Sequence, residues 1–170
     1  MFCMAIWLSG SIFITVVATQ NFFTIDRLLE NSPNGFFSAL VATMEKPSTR
    51  ELMRYLSSEL NRLYFQYWNL VQLPVGVVAL RLVSRLPGSK HATWGIATML
   101  FLVLFLMAVI TPSLLSIGRA LDFVPRDPPP PQMRTFGLLH TTYSALTIVN
   151  VVLGILVTLW IQKERPSQDS

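Results

Sequence analysis

Four uncharged runs alternate along the chain with stretches rich in charge. Residues 1–25, 63–80, 92–118 and 135–162 contain no Asp, Glu, Lys or Arg. Apolar helices of about 17–25 residues match a hydrocarbon core of ~30 Å. The pattern predicts an all-α protein: an integral membrane four-helix bundle forming one domain over residues 1–170. Its spans are expected at about 2–24, 63–84, 92–117 and 136–161.

The first run has neither the basic start nor the small-residue cleavage site of a secretory signal, so it is expected to remain as a helix. Trp7, Ser11, Thr15 and Ala18 share one face of it, a seam where small and hydroxylated residues let helices approach. Asn31-Ser-Pro-Asn-Gly35 is a turn cluster. Phe36, Phe37, Leu40, Val41 and Met44 follow in steps of three and four. That spacing suits a short amphipathic helix, either in the membrane interface or packed on the bundle. It opens an interfacial segment at about 35–62. Ser48-Thr-Arg-Glu51 has capping-box spacing and predicts a helix start. No breaker follows, so one helix is expected over about 48–84, extended beyond the membrane. Glu51–Arg54 and Glu59–Arg62 are spaced to pair on its solvated part, and Pro74 predicts a kink.

Arg81 to His91 forms a short basic hairpin suited to anionic headgroups. The third run is apolar all round until Thr111-Pro-Ser113, which predicts the most lipid-exposed of the four helices. Arg126-Asp-Pro-Pro-Pro-Pro131 is a stiff extended spacer, or a ligand for a partner's aromatic groove. A polar tail follows Lys163. Trp7, Trp94 and Trp160 are expected at one interface, and Tyr64, Tyr67 and Trp68 at the other. Orientation stays open. The long loops hold most of the basic residues, but the hairpin and tail hold theirs at higher density.

Composition strengthens the membrane class. Charged residues make up 13% of the chain and hydrophobic ones 52%, against about 25% charge in soluble domains. The net charge of +4 is spread among the loops. Basic residues do not cluster with stacking aromatics, so nucleic acid is not an expected partner. Cys3 is the only cysteine. That excludes an intrachain disulfide and a cysteine-built metal site, and Cys3 reads as a small buried hydrophobe.

Candidate chemistry centres on the fourth run, which holds His140, the only histidine inside an expected span. His140, Tyr143, Ser144, Thr147, Gly154 and Thr158 fall within roughly 60° either side of one direction on a helix. Glu59, Arg62, Gln66, Asn69 and Gly76 make a matching stripe on the second. Polar stripes in hydrocarbon should face each other. Counted by depth, Gln20, Asn21, Gln66, Asn69, Thr111, Ser113, His140 and Tyr143 share one layer, with Arg62 just outside it and Arg134 placed to cap it. The candidate ligand-binding residues are His140, Tyr143, Ser144, Gln66, Asn69 and Arg62. The layer reads either as a half-buried pocket open to one leaflet or as a hydrogen-bonded layer that fixes helix register.

His140 is a candidate axial ligand to a (bacterio)chlorophyll or haem-like group, a proton acceptor or a metal ligand. Bis-histidine haem fails on count, because His91 is in the opposite loop. Proton coupling normally uses an intramembrane carboxylate, and the spans contain none. Zinc or copper with one histidine and no cysteine nearby is a poor donor set. No catalytic residue is proposed.

Three segments resemble a known family: Ala5-Ile-Trp-Leu-Ser-Gly10, Ser58-Glu-Leu-Asn-Arg-Leu-Tyr-Phe-Gln-Tyr-Trp-Asn69, and Leu138-Leu-His-Thr-Thr-Tyr-Ser-Ala-Leu-Thr-Ile-Val-Asn150. Their order looks like the small four-helix membrane proteins of the transmembrane-protein-205 type and their bacterial relatives of unassigned function. The chain departs from that pattern where Leu-Ser separates Trp7 from Gly10 and where threonines, not glycine, follow His140. The resemblance implies a membrane bundle and supplies no activity.

These features together predict a non-catalytic, multi-pass protein of a bacterial inner (cytoplasmic) membrane. Its expected role is a small accessory or scaffolding subunit of a larger membrane-protein complex, respiratory or photosynthetic. The alternative is a pocket protein holding a pigment, haem-like or lipid ligand through His140. A small transporter or a porphyrin- or metal-pathway membrane enzyme comes third.

Overall fold

The computed structural model describes residues 1–44 and 46–163, with every side chain among them except that of Lys46. The described residues form five helices and no strand: α1 (Phe2–Glu30), α2 (Gly35–Thr43), α3 (Lys46–Val83), α4 (Lys90–Ala120) and α5 (Gln132–Lys163). Three of them, α1, α4 and α5, are long and apolar enough to cross a membrane. The tail beyond Lys163 lies outside the described residues.

The four long helices pack as a ring in the order α1, α3, α4, α5 and back to α1. Ring neighbours run antiparallel. Gly10 of α1 meets Trp68 of α3, and further along α1 Asp26 meets Arg50. Gly76 of α3 meets Leu100 of α4, and Gly118 of α4 lies against Arg62 of α3 and Phe136 of α5. The core is where they converge, built on Met4, Trp7, Ala92, Ile96, Met99, Val103 and Val157.

Glycines set the close approaches. A Cβ at Gly10 would fall into the Trp68 indole. One at Gly76 would meet Trp7 and Leu100, and one at Gly95 would meet Val157. α4 also carries an irregular turn. It is α-helical over Lys90–Phe105, widens into a π turn over Leu106–Ile110, and returns to α over Thr111–Ala120. Pro112 lacks an N–H and its ring crowds the carbonyl four residues earlier. The wide turn just ahead, in which the Thr111 N–H donates to the Leu106 carbonyl, gives that ring room.

Several expectations are corrected. Ser48 does not start a helix, because α3 already begins at Lys46. Pro47 then sits in the first turn, where its missing N–H costs nothing. α3 is one helix through to Val83, with Pro74 inside it. Arg54 does not pair with Glu51; it reaches Asp26 on α1 at 3.3 Å, because the last turns of α1 bring that carboxylate between Arg50 and Arg54. Trp7 is no interfacial anchor. It is 1% exposed and donates from Nε1 to Asn150 Oδ1 at 3.0 Å. Trp94, at 74% exposure, does face outward. The third run does not stand out by exposure: the buried share of its most apolar stretch equals that of α1 and α5, and its Ala92, Ile96, Met99 and Val103 belong to the core. An all-round apolar helix hides which of its faces packs.

Candidate functional site

Two polar features stand out, one inside the ring and one at its end. The inner one sits where α1, α3 and α5 face each other. Asn150 accepts from the Trp7 indole and donates from Nδ2 to the Met99 carbonyl at 3.0 Å. Ser11 Oγ accepts from Trp68 Nε1 at 3.1 Å. The Gln72 amide is best satisfied with its oxygen turned to Ser11 Oγ (3.3 Å), Trp7 Nε1 (3.0 Å) and Trp68 Nε1 (3.3 Å). One turn along α3, Asn69 Oδ1 accepts from Tyr143 Oη at 3.4 Å. Beside these bonds lies a cavity of about 20 Å³ lined by residues of all four long helices. Phe65 meets the Tyr143 ring edge-on at 5.6 Å, and Leu106, Ile110 and Tyr143 form a second apolar cluster.

The outer feature is a cleft of about 780 Å³ at the end where α1 stops and the N-terminal part of α3 continues alongside it. That volume lies within the usual range for small-molecule pockets. Its walls come from the last turns of α1, the first half of α3, the end of α4, the loop after it and the start of α5. Two ion-pair groups brace it. Asp26 holds Arg50 at 2.7 Å and Arg54 at 3.3 Å. Arg62 grips Asp122 with two parallel bonds of 2.8 and 3.1 Å, and also binds Glu59. Glu59 in turn accepts from Arg119 through two bonds of 3.2 Å.

These contacts shift the ionisable groups. The hydrogen bond from Arg50 lowers the Asp26 carboxyl below its ordinary range, and Arg54 adds to it. The hydrogen bonds from Arg119 and then Arg62 do the same for Glu59. Burial acts most strongly on Arg62 and pulls it down. Hydrogen bonds and charge from Asp122 and Glu59 outweigh that and raise it. Arg126, Glu30 and Glu51 line the same cleft and carry no ion pair among the described residues.

Phe123 marks the cleft further. It has φ +60 and its ring lies 5.1 Å from that of Tyr55. A non-glycine residue there costs about 1–3 kcal/mol and persists only where its surroundings impose it. Such residues cluster at binding sites.

The six candidate residues divide between these two features. Asn69 and Tyr143 bond to each other inside the ring. Arg62 and His140 line the cleft. His140 is exposed and stacked on Phe136 at 6.0 Å, and no hydrogen bond from the described residues orients its ring nitrogens. An axial or metal-ligating histidine normally has such a partner. Ser144 is exposed and its hydroxyl donates to the His140 carbonyl, and the Gln66 side chain makes no hydrogen bond among the described residues. The eight residues of the expected layer therefore do not converge on one site. Gln20 and Ser113 are also exposed, and Asn21 pairs with Asn61 at 2.8 Å instead. The buried face of α5 runs Tyr143, Asn150, Gly154, Val157, Ile161. His140 lies roughly 60° from its centre and Ser144 roughly 100°.

The two polar stripes of the sequence leave out Trp7, Ser11, Gln72 and Asp122. A usable signal existed for three of them: Trp7 and Ser11 share a face, and Gln72 follows Asn69 by three. Asp122 gave none, because it is one of two aspartates in a loop. The segments that carry the family resemblance do meet in space, through Gly10 on Trp68, Trp7 on Asn150 and Asn69 on Tyr143. No family model, curated protein or solved structure matches the chain.

Proposed function

We propose that the chain is a four-span integral membrane protein whose task is binding, and that the end cleft holds an amphiphilic, lipid-like ligand. The cleft is the observation that carries this reading. Its wall on the side of the uncharged runs includes Phe22, Gly118 and Phe136, which belong to those runs, with the ion-paired Arg62 and Asp122 beside them. Its outer wall carries Arg50, Glu51, Glu30 and Arg126. A molecule with an apolar tail and a charged head matches that gradient, with its tail toward the hydrocarbon.

The membrane reading rests on more than the three apolar helices. α3 is the fourth span, over about 63–80, although its amides make it less apolar. Asn69 and Gln72 are buried within the ring, so these polar groups are kept from lipid. Charged residues then fall into two groups at the two ends of the ring, with none between.

The test is lipid analysis of the protein purified in mild detergent. Wild type is expected to carry about one tightly held amphiphile per chain after extensive washing. Leu29→Trp with Val124→Trp, which fills the cleft, is expected to lose most of it. Wild type free of bound amphiphile, or a folded filled variant that retains it, sinks the proposal.

A second reading has its own observation. Leu52 and Leu56 are 53% and 60% exposed on the part of α3 outside the proposed span. With Leu63 they make an apolar stripe that an accessory subunit would dock on a larger complex. Crosslinking from Leu56→Cys in native membranes tests it; an uncrosslinked chain at every position of the stripe argues against it.

A further inference from the structure

The structure assigns one bound water molecule to the cavity between α1, α3 and α5, held by Asn69 as donor and by Thr15 and Thr147 as acceptors. Asn69 is 2% exposed, and its Oδ1 is taken by Tyr143. Its Nδ2 is buried and has no partner. Buried amide hydrogens without a partner are rare, and each one calls for an explanation. Asn69 lines a cavity of about 20 Å³. A single water needs about 10–15 Å³ measured this way and typically makes about three hydrogen bonds.

The donor and acceptor pattern selects the ligand. Thr15 Oγ1 gives its hydrogen to the Ser11 carbonyl at 2.9 Å, and Thr147 Oγ1 gives its own to the Tyr143 carbonyl at 2.9 Å. Both hydroxyls line the cavity and are left with lone pairs to offer. The site thus presents an unused amide NH₂ and two unused acceptors. A water oxygen accepts from Asn69 Nδ2, and its two hydrogens serve the threonines. A metal cation offers nothing to the amide hydrogen. An anion would meet two acceptors and no positive charge, and any organic group exceeds the space. The water joins three helices at a level where no charged side chain reaches, and it does so whether or not the cleft binds a ligand.

The measurement is a water-to-amide cross-relaxation experiment by NMR on the full chain in detergent micelles, read at the Asn69 side-chain NH₂. A cross-peak of the sign given by a long-lived water is expected in wild type. Thr147→Val keeps the shape and removes one acceptor, so its cross-peak should fall severalfold. The Trp7 indole signal, held by Asn150, reports whether the variant remains folded. A wild-type spectrum without the cross-peak overturns the assignment. So does an unchanged cross-peak in folded Thr147→Val. Thr15→Val serves as the second variant, with the same expectation, should Thr147→Val fail to fold.

Discussion

Arg62 is caught between two carboxylates that reach it from different elements, Glu59 one turn earlier on α3 and Asp122 just past α4. The Arg62 and Asp122 side chains are only 12% and 16% exposed, whereas those of Asp26 and Arg50 are 33% and 48% exposed. Removing one partner of a buried pair leaves a charge uncompensated, and exposed pairs contribute little. Glu59 still compensates Arg62 when Asp122 is removed, so Asp122→Ala is expected to cost about 1.5–3 kcal/mol in denaturant unfolding through its two lost charged hydrogen bonds, with little change for Asp26→Ala. Equal effects would contradict the assigned burial. The same groups set an acid limit. Asp26 and Glu59 have folded values below their ordinary 3.8 and 4.5. Such carboxylates contribute stability above the unfolded value and lose it as pH falls through the lowered folded value. Melting temperature should hold steady from neutral pH down to the ordinary carboxylate range and then fall. The gap between wild type and Glu59→Gln should close over that same acid interval, while Arg62 stays protonated throughout.

Helix packing depends on where small residues sit. Gly10 faces the Trp68 indole and Gly137 faces open space, and both lie inside helices. Overpacking costs about 1–3 kcal/mol, and Ala for Gly in an unobstructed helix gains roughly 0.5–1 kcal/mol. Gly10→Ala should lower the melting temperature and Gly137→Ala should raise it; the same sign for both would contradict the α1–α3 contact. This pair also shows what was legible in the sequence. Charge-free runs announced four helices, because nothing else satisfies so many buried backbone groups. They understated the length of α1, since charged residues at an end are compatible with further helical turns, as at Asp26–Glu30, whereas the lack of a breaker after Ser48 already carried α3 back through its charged first part. Of the site, Asn69 and Tyr143 were legible as facing polar groups. The direction of the α5 face was not. Averaging its polar residues points toward His140, while the packed face is centred on Asn150 and Gly154, where a glycine and Val157 give no polar signal. Nor does a run as uniform as Met99–Ile110 reveal where Pro112 widens the helix.

The whole molecule sorts its charges into two belts, and that arrangement makes a topological demand. Asp26, Arg50, Glu59, Arg62, Arg119 and Asp122 sit at one end of the ring, bonded to one another. Arg81, Arg85 and Lys90 sit at the other, in and beside the turn between α3 and α4. Between them α3 rises ~27 Å over its 18 uncharged residues at 1.5 Å each, close to the ~30 Å hydrocarbon thickness. If all four long helices cross, α2 and the start of α5 face one compartment, and the α3–α4 turn faces the other. If α3 lies along the surface instead, α2 and that turn face the same side. Single cysteines at exposed positions separate these arrangements, in a Cys3→Ser background. Ala39→Cys and Gln132→Cys should react alike with an impermeant maleimide in sealed vesicles. Ser84→Cys should show the opposite protection, and all three should label after permeabilisation. Ala39→Cys and Ser84→Cys labelling together in sealed vesicles would remove α3 from the membrane, and with it the reason for Asn69 and Gln72 to be buried among the helices.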